Sequence, residues 1–349
     1  MGLIQSFIPR QETASVTVFN SQGHPRSGLV EVYIDHEILP PGRDFRIVED
    51  MSCREVAAQS SRGRADGTYW YLRVEDDPAL GFRSYRIESL QTTRPSERTP
   101  NLPGLSAGGE AGSIILENEF YRLAIDPAIG GIASLTDKEW GKDLVDPDSP
   151  WLLGQFILER ISNRGQLERF RLVDQERTSL SDTRVEPGVD GPLWKSFSWS
   201  GTTDTAVPGT RLTCEVRLFK KEKRLELHYA LFKKDITDPE ALYIAFPCGL
   251  DDGEIFFEVQ GGMAVPGNDQ LEGTATDWNA IQNFCAVREP DGGQVVLSSP
   301  EVPLVHFGGL NLGQFRYVAQ IETPHVYSWV MNNYWVTNFR ASQRGEFRW

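Results

Sequence analysis

"TRLTCEVRLFKKEKRLELHYALF", Thr210 to Phe232, consists of two alternating runs on either side of a charged knot. Leu212, Cys214, Val216 and Leu218 alternate with polar residues in the first run, and Leu225, Leu227, Tyr229 and Leu231 do so in the second. A repeat of two places the apolar set on one side of a pleated strand, so each run is a half-buried strand. The intervening "KKEKR" cannot enter a core, and the whole reads as a long antiparallel hairpin with a charged tip.

Strand signals of the same kind extend in both directions. Toward the N-terminus "SVTVFN", "GLVEVYI", "TYWYLRV" and "RSYRIESL" are short, rich in β-branched and aromatic residues, and bounded by Gly, Pro and Asp. They predict a small sandwich over residues 1–92. Residues 93–112, within "QTTRPSERTPNLPGLSAGGEAGS", are rich in Pro, Gly, Ser and Thr and read as a linker. Beyond it, over residues 113–349, strands such as "IILENEFYRLAID", "LLGQFILERI", "ALYIAFPCGL", "EIFFEVQGG", "FRYVAQI" and "HVYSWVMNN" follow one another with no strong helix candidate and no internal repeat. So many strands exceed one open sheet and require stacked sheets. The expected class is all-β.

Composition narrows the partners. The chain has 349 residues, 40% of them hydrophobic and 24% charged, so it can bury a sizeable core. A formal charge of -14 repels phosphate backbones and anionic lipid surfaces, which argues against nucleic acid and membrane as partners and leaves a neutral ligand such as a sugar unaffected. The four cysteines, Cys53, Cys214, Cys248 and Cys285, are far apart and sit in apolar strand patterns. They read as buried free thiols of a cytoplasmic protein. The start "MGLIQSFIPRQ" has no signal-peptide pattern.

Candidate chemistry is sparse. His24, His36, His228, His306 and His325 are scattered, none with a second ligand at metal spacing, so no metal site is expected. There is no nucleophile elbow and no phosphate-cradling glycine loop. "GNDQLEGTATDW", Gly267 to Trp278, carries Asp269, Glu272 and Asp277 in a loop, where solvated acids are the ordinary reading. Sugar faces stack on Trp and Tyr while hydroxyls pair with Asn, Gln, Asp and Arg, and Trp278 beside Asp277 and Trp335 within "NNYWVTN" offer that mixture. Plain strand packing explains the closing stretch equally well.

Taken in order, "SVTVFNSQGHPRSGLVEV", "LENEFYRLAIDPAIGGIASLTDKEWGKDLVD", "GNDQLEGTATDW" and "YSWVMNNYWVTNFRASQ" resemble the C-terminal half of glycoside hydrolase family 38, the α-mannosidases. The second stretch, Leu116 to Asp146, is the most specific. The resemblance implies a small immunoglobulin-like sandwich followed by a large antiparallel supersandwich of the galactose-mutarotase type. It also implies that the retaining, zinc-dependent chemistry lies in an upstream barrel, since neither a β/α alternation nor a His-x-Asp zinc pair occurs here. The chain is then expected to be a fragment, cut at Trp349 within a strand, with no catalytic residue, metal or cofactor of its own and no activity alone. Its partners would be α-mannosides, the N-terminal catalytic domain and, through the exposed domain face, a possible homodimer. Asn332, Asn333, Trp335, Thr337 and Asn338 match one recurrent stretch of the family, and Asp269, Gln270 and Trp278 match another; these are the expected sugar-proximal residues. A free-standing carbohydrate-binding module is the alternative, and a mutarotase or epimerase using His228, His306 or His325 is a third.

Overall fold

The structure is a computed structural model and describes residues 8, 13–90, 114–169, 172, 174–203, 210–312, 318–319, 321–335 and 342–349. The linker expected at 93–112 lies outside the described residues, as does most of "FRYVAQI". The chain divides into two compact units, one formed by Met1–Asn101 with Asp190–Trp194, the other by Leu102–Val189 with Lys195–Trp349.

The first unit is built from β1 (Ser15–Phe19), β2 (Arg26–Asp35), β3 (Phe45–Glu49), β4 (Glu55–Val56), β5 (Ala58–Gly63), β6 (Gly67–Asp77) and β7 (Phe82–Ser89). They form two sheets, in the orders β1-β7-β3-β4 and β2-β6-β5. Ile47 and Tyr85 from one sheet pack with Leu72 and Val74 from the other, which makes a sandwich core. Gln59, next to the core-packed Ala58 on β5, is buried on the other side of that strand, where Oε1 accepts from the backbone N–H groups of Leu193 and Trp194 and Nε2 donates to the Trp194 carbonyl.

The second unit opens with β8 (Ile114–Glu117), β9 (Tyr121–Asp126), β10 (Gly131–Asp137) and β11 (Lys142–Asp143), then β12 (Phe156–Ile161) and the four-residue helix α1 (Gly165–Glu168). Next come β13 (Gln175–Thr178), β14 (Leu180–Asp190) and β15 (Trp194–Thr203), whose adjoining end residues Asp190 and Trp194 belong to the first unit, then β16 (Arg211–Phe219), β17 (Leu225–Lys233) and β18 (Glu240–Pro247). The remainder are β19 (Glu254–Val259), β20 (Gly262–Ala264), β21 (Asn279–Ala280), β22 (Phe284–Arg288), β23 (Gln294–Ser298), β24 (Leu304–Phe307), β25 (His325–Asn332) and β26 (Gly345–Arg348). The chain is all-β with multiple antiparallel sheets, as its alternation indicates.

The decisive hairpin is β16 and β17, paired from Arg211↔Phe232 to Leu218↔Leu225 with the charged knot at the tip. "IILENEFYRLAID" departs from its reading as one strand. Asn118 breaks it, accepting at Oδ1 from the backbone N–H groups of Phe120 and Tyr121, so two strands form a hairpin. Cys214, Cys248 and Cys285 are buried, but Cys53 is exposed, a correction that follows from its place at φ 54° in the turn between β3 and β4.

A six-stranded sheet, ordered β13-β12-β18-β25-β24-β21, organises the second unit. One face carries Phe156, Leu158, Leu242, Ile244, Val305 and Val326 into the main core. The opposite face carries Ile157, Ile161, Tyr243, Tyr327 and Trp329 into a second, smaller core closed by Leu167, Leu310 and Leu312. Between β18 and β25 the register passes from Leu242↔Met331 to Tyr243↔Trp329, so Val330 is a bulge. The extra residue keeps Met331 with Leu242 on one face and Trp329 with Tyr243 on the other.

Gly154, just before β12, adopts φ 75°, and a Cβ there would lie 2.9 Å from Leu227 Cδ1 and 3.1 Å from the Tyr229 hydroxyl. That hydroxyl donates to the Gly154 carbonyl at 2.8 Å. Gly154→Ala is therefore expected to cost roughly 1–3 kcal/mol, read as a lower urea midpoint at unchanged slope.

Candidate functional site: an indole cluster on the second face of the central sheet

The two stretches singled out in the sequence converge. Trp278, from the loop before β21, and Trp335, three residues past β25, have ring centroids 5.9 Å apart at an interplanar angle of 53°. Trp329 stands edge-on to Trp278 at 5.6 Å and to Trp335 at 6.1 Å. Trp335 is 42% exposed, Trp278 half-buried and Trp329 buried, so the cluster runs from solvent into the second core. Tilted, partly exposed indoles backed by a rigid sheet form an apolar surface with directional edges, suited to the face of a pyranose.

The other expected residues do different things. The Asn333 side chain is 6% exposed and its amide is committed to backbone: Oδ1 accepts from the Glu240 N–H at 2.7 Å, and Nδ2 donates to the carbonyls of Ile236 and Asp238 at 3.0 and 2.9 Å. Its own carbonyl accepts from the Arg164 guanidinium. Asn332 ends β25 opposite Ala241 and lines a small pocket with Lys233 and Glu240, a buried ion pair. Asp269 and Gln270 hold their own loop. The Asp269 carboxylate accepts from the Val265 N–H, and Gln270 accepts from the Gly267 N–H and donates to Asn279 Oδ1. Asp277 departs from the solvated reading of its loop, being 2% exposed, whereas Asp269 and Glu272 are exposed. Thr337 and Asn338 lie outside the described residues.

Behind the indoles is a polar group that the sequence reading did not single out. Glu159, on β12, is fully buried, and its Oε1 accepts from the hydroxyls of Tyr334 at 2.7 Å and Tyr243 at 3.3 Å. Its Oε2 accepts from Arg177 Nε at 2.6 Å, and Arg177 is the register partner of Glu159 on β13. Burial drives the Tyr243 and Tyr334 phenols far above their ordinary range, with the Glu159 charge adding to it, so both remain donors. The available signal was a charged residue inside the apolar run "FILERI", since a carboxylate enters a core only when paired.

Among the described residues no group of three or more His, Cys, Asp or Glu side chains could hold a metal ion. His325 Nε2 is 2.7 Å from Asp146, His228 pairs with Glu226, and His36 bonds to Thr68. His306, on β24, is fully buried, and its Nδ1 accepts the Asn311 N–H at 3.1 Å, so Nε2 carries the proton. Its ring meets Tyr243 and Trp329 edge-on at 5.2 and 5.1 Å. Burial, helped by the Arg177 charge, pushes its pKa down to about 3, so it offers no acid at neutral pH.

With this geometry in view, solved structures give the comparison. The chain matches a protein in the glycosyl hydrolase family 38 from Enterococcus faecalis with a TM-score of 0.62 and 13% identity, over 96% of this chain and 43% of that one. It matches an alpha-mannosidase from Enterococcus faecalis V583 with a TM-score of 0.61 and 12% identity, over 96% of this chain and 42% of that one. The likeness is one of fold. It agrees with the resemblance carried by the residues, and the chain spans less than half the length of either structure. No family model matches the chain, and no curated protein does.

Two measurements check this geometry. Asn333→Ala strands the two carbonyls and the N–H that the amide serves, and is expected to cost roughly 2–4 kcal/mol in chemical denaturation. His306 is neutral in both states above its unfolded value of 6.5. As pH falls from 6.5 toward about 3, only the unfolded chain takes up that proton, so stability drains by up to about 1.4 kcal/mol per pH unit. A His306→Phe variant, compared with the parent over that interval, is expected to show the shallower decline.

Proposed function

We propose that this chain is the non-catalytic β-sandwich part of a retaining, zinc-dependent α-mannosidase, and that its indole cluster helps to wall the sugar site. The observation that carries the reading is the likeness of fold, spread over 96% of the chain, to two structures described as a family 38 glycosyl hydrolase and an alpha-mannosidase. The convergence of Trp278 and Trp335 supports the carbohydrate part, because two loops distant in sequence bring aromatic faces together at a partly exposed surface. On this reading the zinc ion, the nucleophile and the acid/base carboxylate belong to a catalytic barrel outside this chain. What the chain supplies is shape: a rigid sheet, an aromatic corner and a polar group that fixes it. A domain of this kind binds and orients, and it excludes water from one side of the sugar.

Two assays on the 349-residue chain test it. Calorimetric titration with methyl α-mannoside is expected to give weak, millimolar binding that Trp335→Ala weakens about tenfold, ~1.4 kcal/mol. An aryl α-mannoside is expected to remain unhydrolysed by the chain alone, and steady turnover would overturn the non-catalytic role.

A further inference from the structure

Three other rings lie close to the Trp335 indole: Trp278 at 5.9 Å, Trp329 at 6.1 Å and Tyr334 at 6.1 Å. Aromatic pairs accept a broad range of tilts, so such contacts hold an indole without setting its angle. The backbone of the segment Asn333–Trp335, which follows the last residue of β25, adds the directional constraint that ring packing lacks. That segment has two fixed points. One is the Asn333 amide described above, and the other is the Tyr334 hydroxyl on Glu159.

We propose that Glu159, acting through the Tyr334 hydroxyl, is a positioning residue that sets the Trp335 indole against Trp278 at the angle a sugar face requires. The inference rests on the carbohydrate reading of this site and adds to it the group that governs affinity without touching the ligand. Glu159 suits the role because it cannot turn. Its two oxygens are divided between two phenols and one guanidinium, and Arg177 is itself braced by Gln175 Oε1 at 2.7 Å and the Leu310 carbonyl at 3.3 Å. A buried carboxylate that loses a donor pays a desolvation cost with no water to replace it, so the Tyr334 hydroxyl is held in one direction. Packing alone would hold a phenylalanine at that position, since Tyr334 is 1% exposed. The hydroxyl therefore adds orientation where burial is already provided.

Tyr334→Phe keeps the ring, and Glu159→Gln keeps the shape; both are tested in the whole chain. The sugar-free readout is the near-ultraviolet circular dichroism of the coupled indoles together with acrylamide quenching, each taken as a difference from a Trp335→Phe background so that one indole is followed among nine tryptophans. Tyr334→Phe is expected to preserve the far-ultraviolet spectrum and a cooperative transition, to diminish the indole couplet and to raise quenching of Trp335. Methyl α-mannoside binding is then expected to weaken about fivefold through lost pre-organisation. A purely structural role would lower the melting temperature and leave couplet, quenching and affinity as they were, and that result overturns the proposal. Should Glu159→Gln fail to fold, Tyr334→Phe decides alone. If the parent chain binds no methyl α-mannoside, the carbohydrate reading fails, and the sugar-free spectra still decide for or against the positioning role.

Discussion

A sheet with large apolar side chains on both faces has to be covered twice, and the second unit is arranged around that requirement. The strands β12, β18, β25 and β24 send Phe156, Leu242, Val326 and Val305 one way and Ile157, Tyr243, Trp329 and His306 the other. The first set is covered by other sheets. The second is covered by short pieces of chain, among them Leu167, Leu310, Leu312 and Tyr334, and a cover made of loops is where a fold can place irregular, ligand-facing side chains.

The second face is also where the chain tolerates buried polarity. Leaving Glu159 unpaired in that core would cost several kcal/mol, and the structure avoids this by aligning Arg177 in register beside it and closing two phenols over it. The same aromatic groups touch the indoles: Tyr243 stacks on Trp329 at 6.1 Å with an interplanar angle of 11°, and Tyr334 directly precedes Trp335. Polar satisfaction and the partly exposed indole surface are therefore two sides of one cluster. The Val330 bulge makes the cluster possible, because without the extra residue Trp329 and Met331 could not face opposite cores as they do.

The titratable groups packed in these cores are held in one protonation state. The one fully buried histidine is held neutral, three of the four cysteines are buried with their thiols pushed up by desolvation, and the tyrosines nearest the indoles are held protonated. Groups shifted in this direction keep a fixed charge across the physiological range.

Period-two alternation by itself determined the all-β class, the hairpin from Arg211 to Lys233 and the succession of antiparallel strands, because local patterning decides which side of a strand is buried. The break at Asn118 and the exposed turn at Cys53 were missed, since each depends on a side chain or a positive φ that alternation does not encode. Of the candidate site, Trp278 and Trp335 were legible as aromatics set among polar residues. Asn333 was read as sugar-proximal, and its commitment to the backbone of residues 236–240 was not legible. Only the tertiary structure decided that Trp278 and Trp335 meet, that Glu159 rather than a loop carboxylate stands behind them, and that His306 is sealed in the core. Those are facts of cross-strand register and sheet order, and a sequence states neither until its strands have found their neighbours.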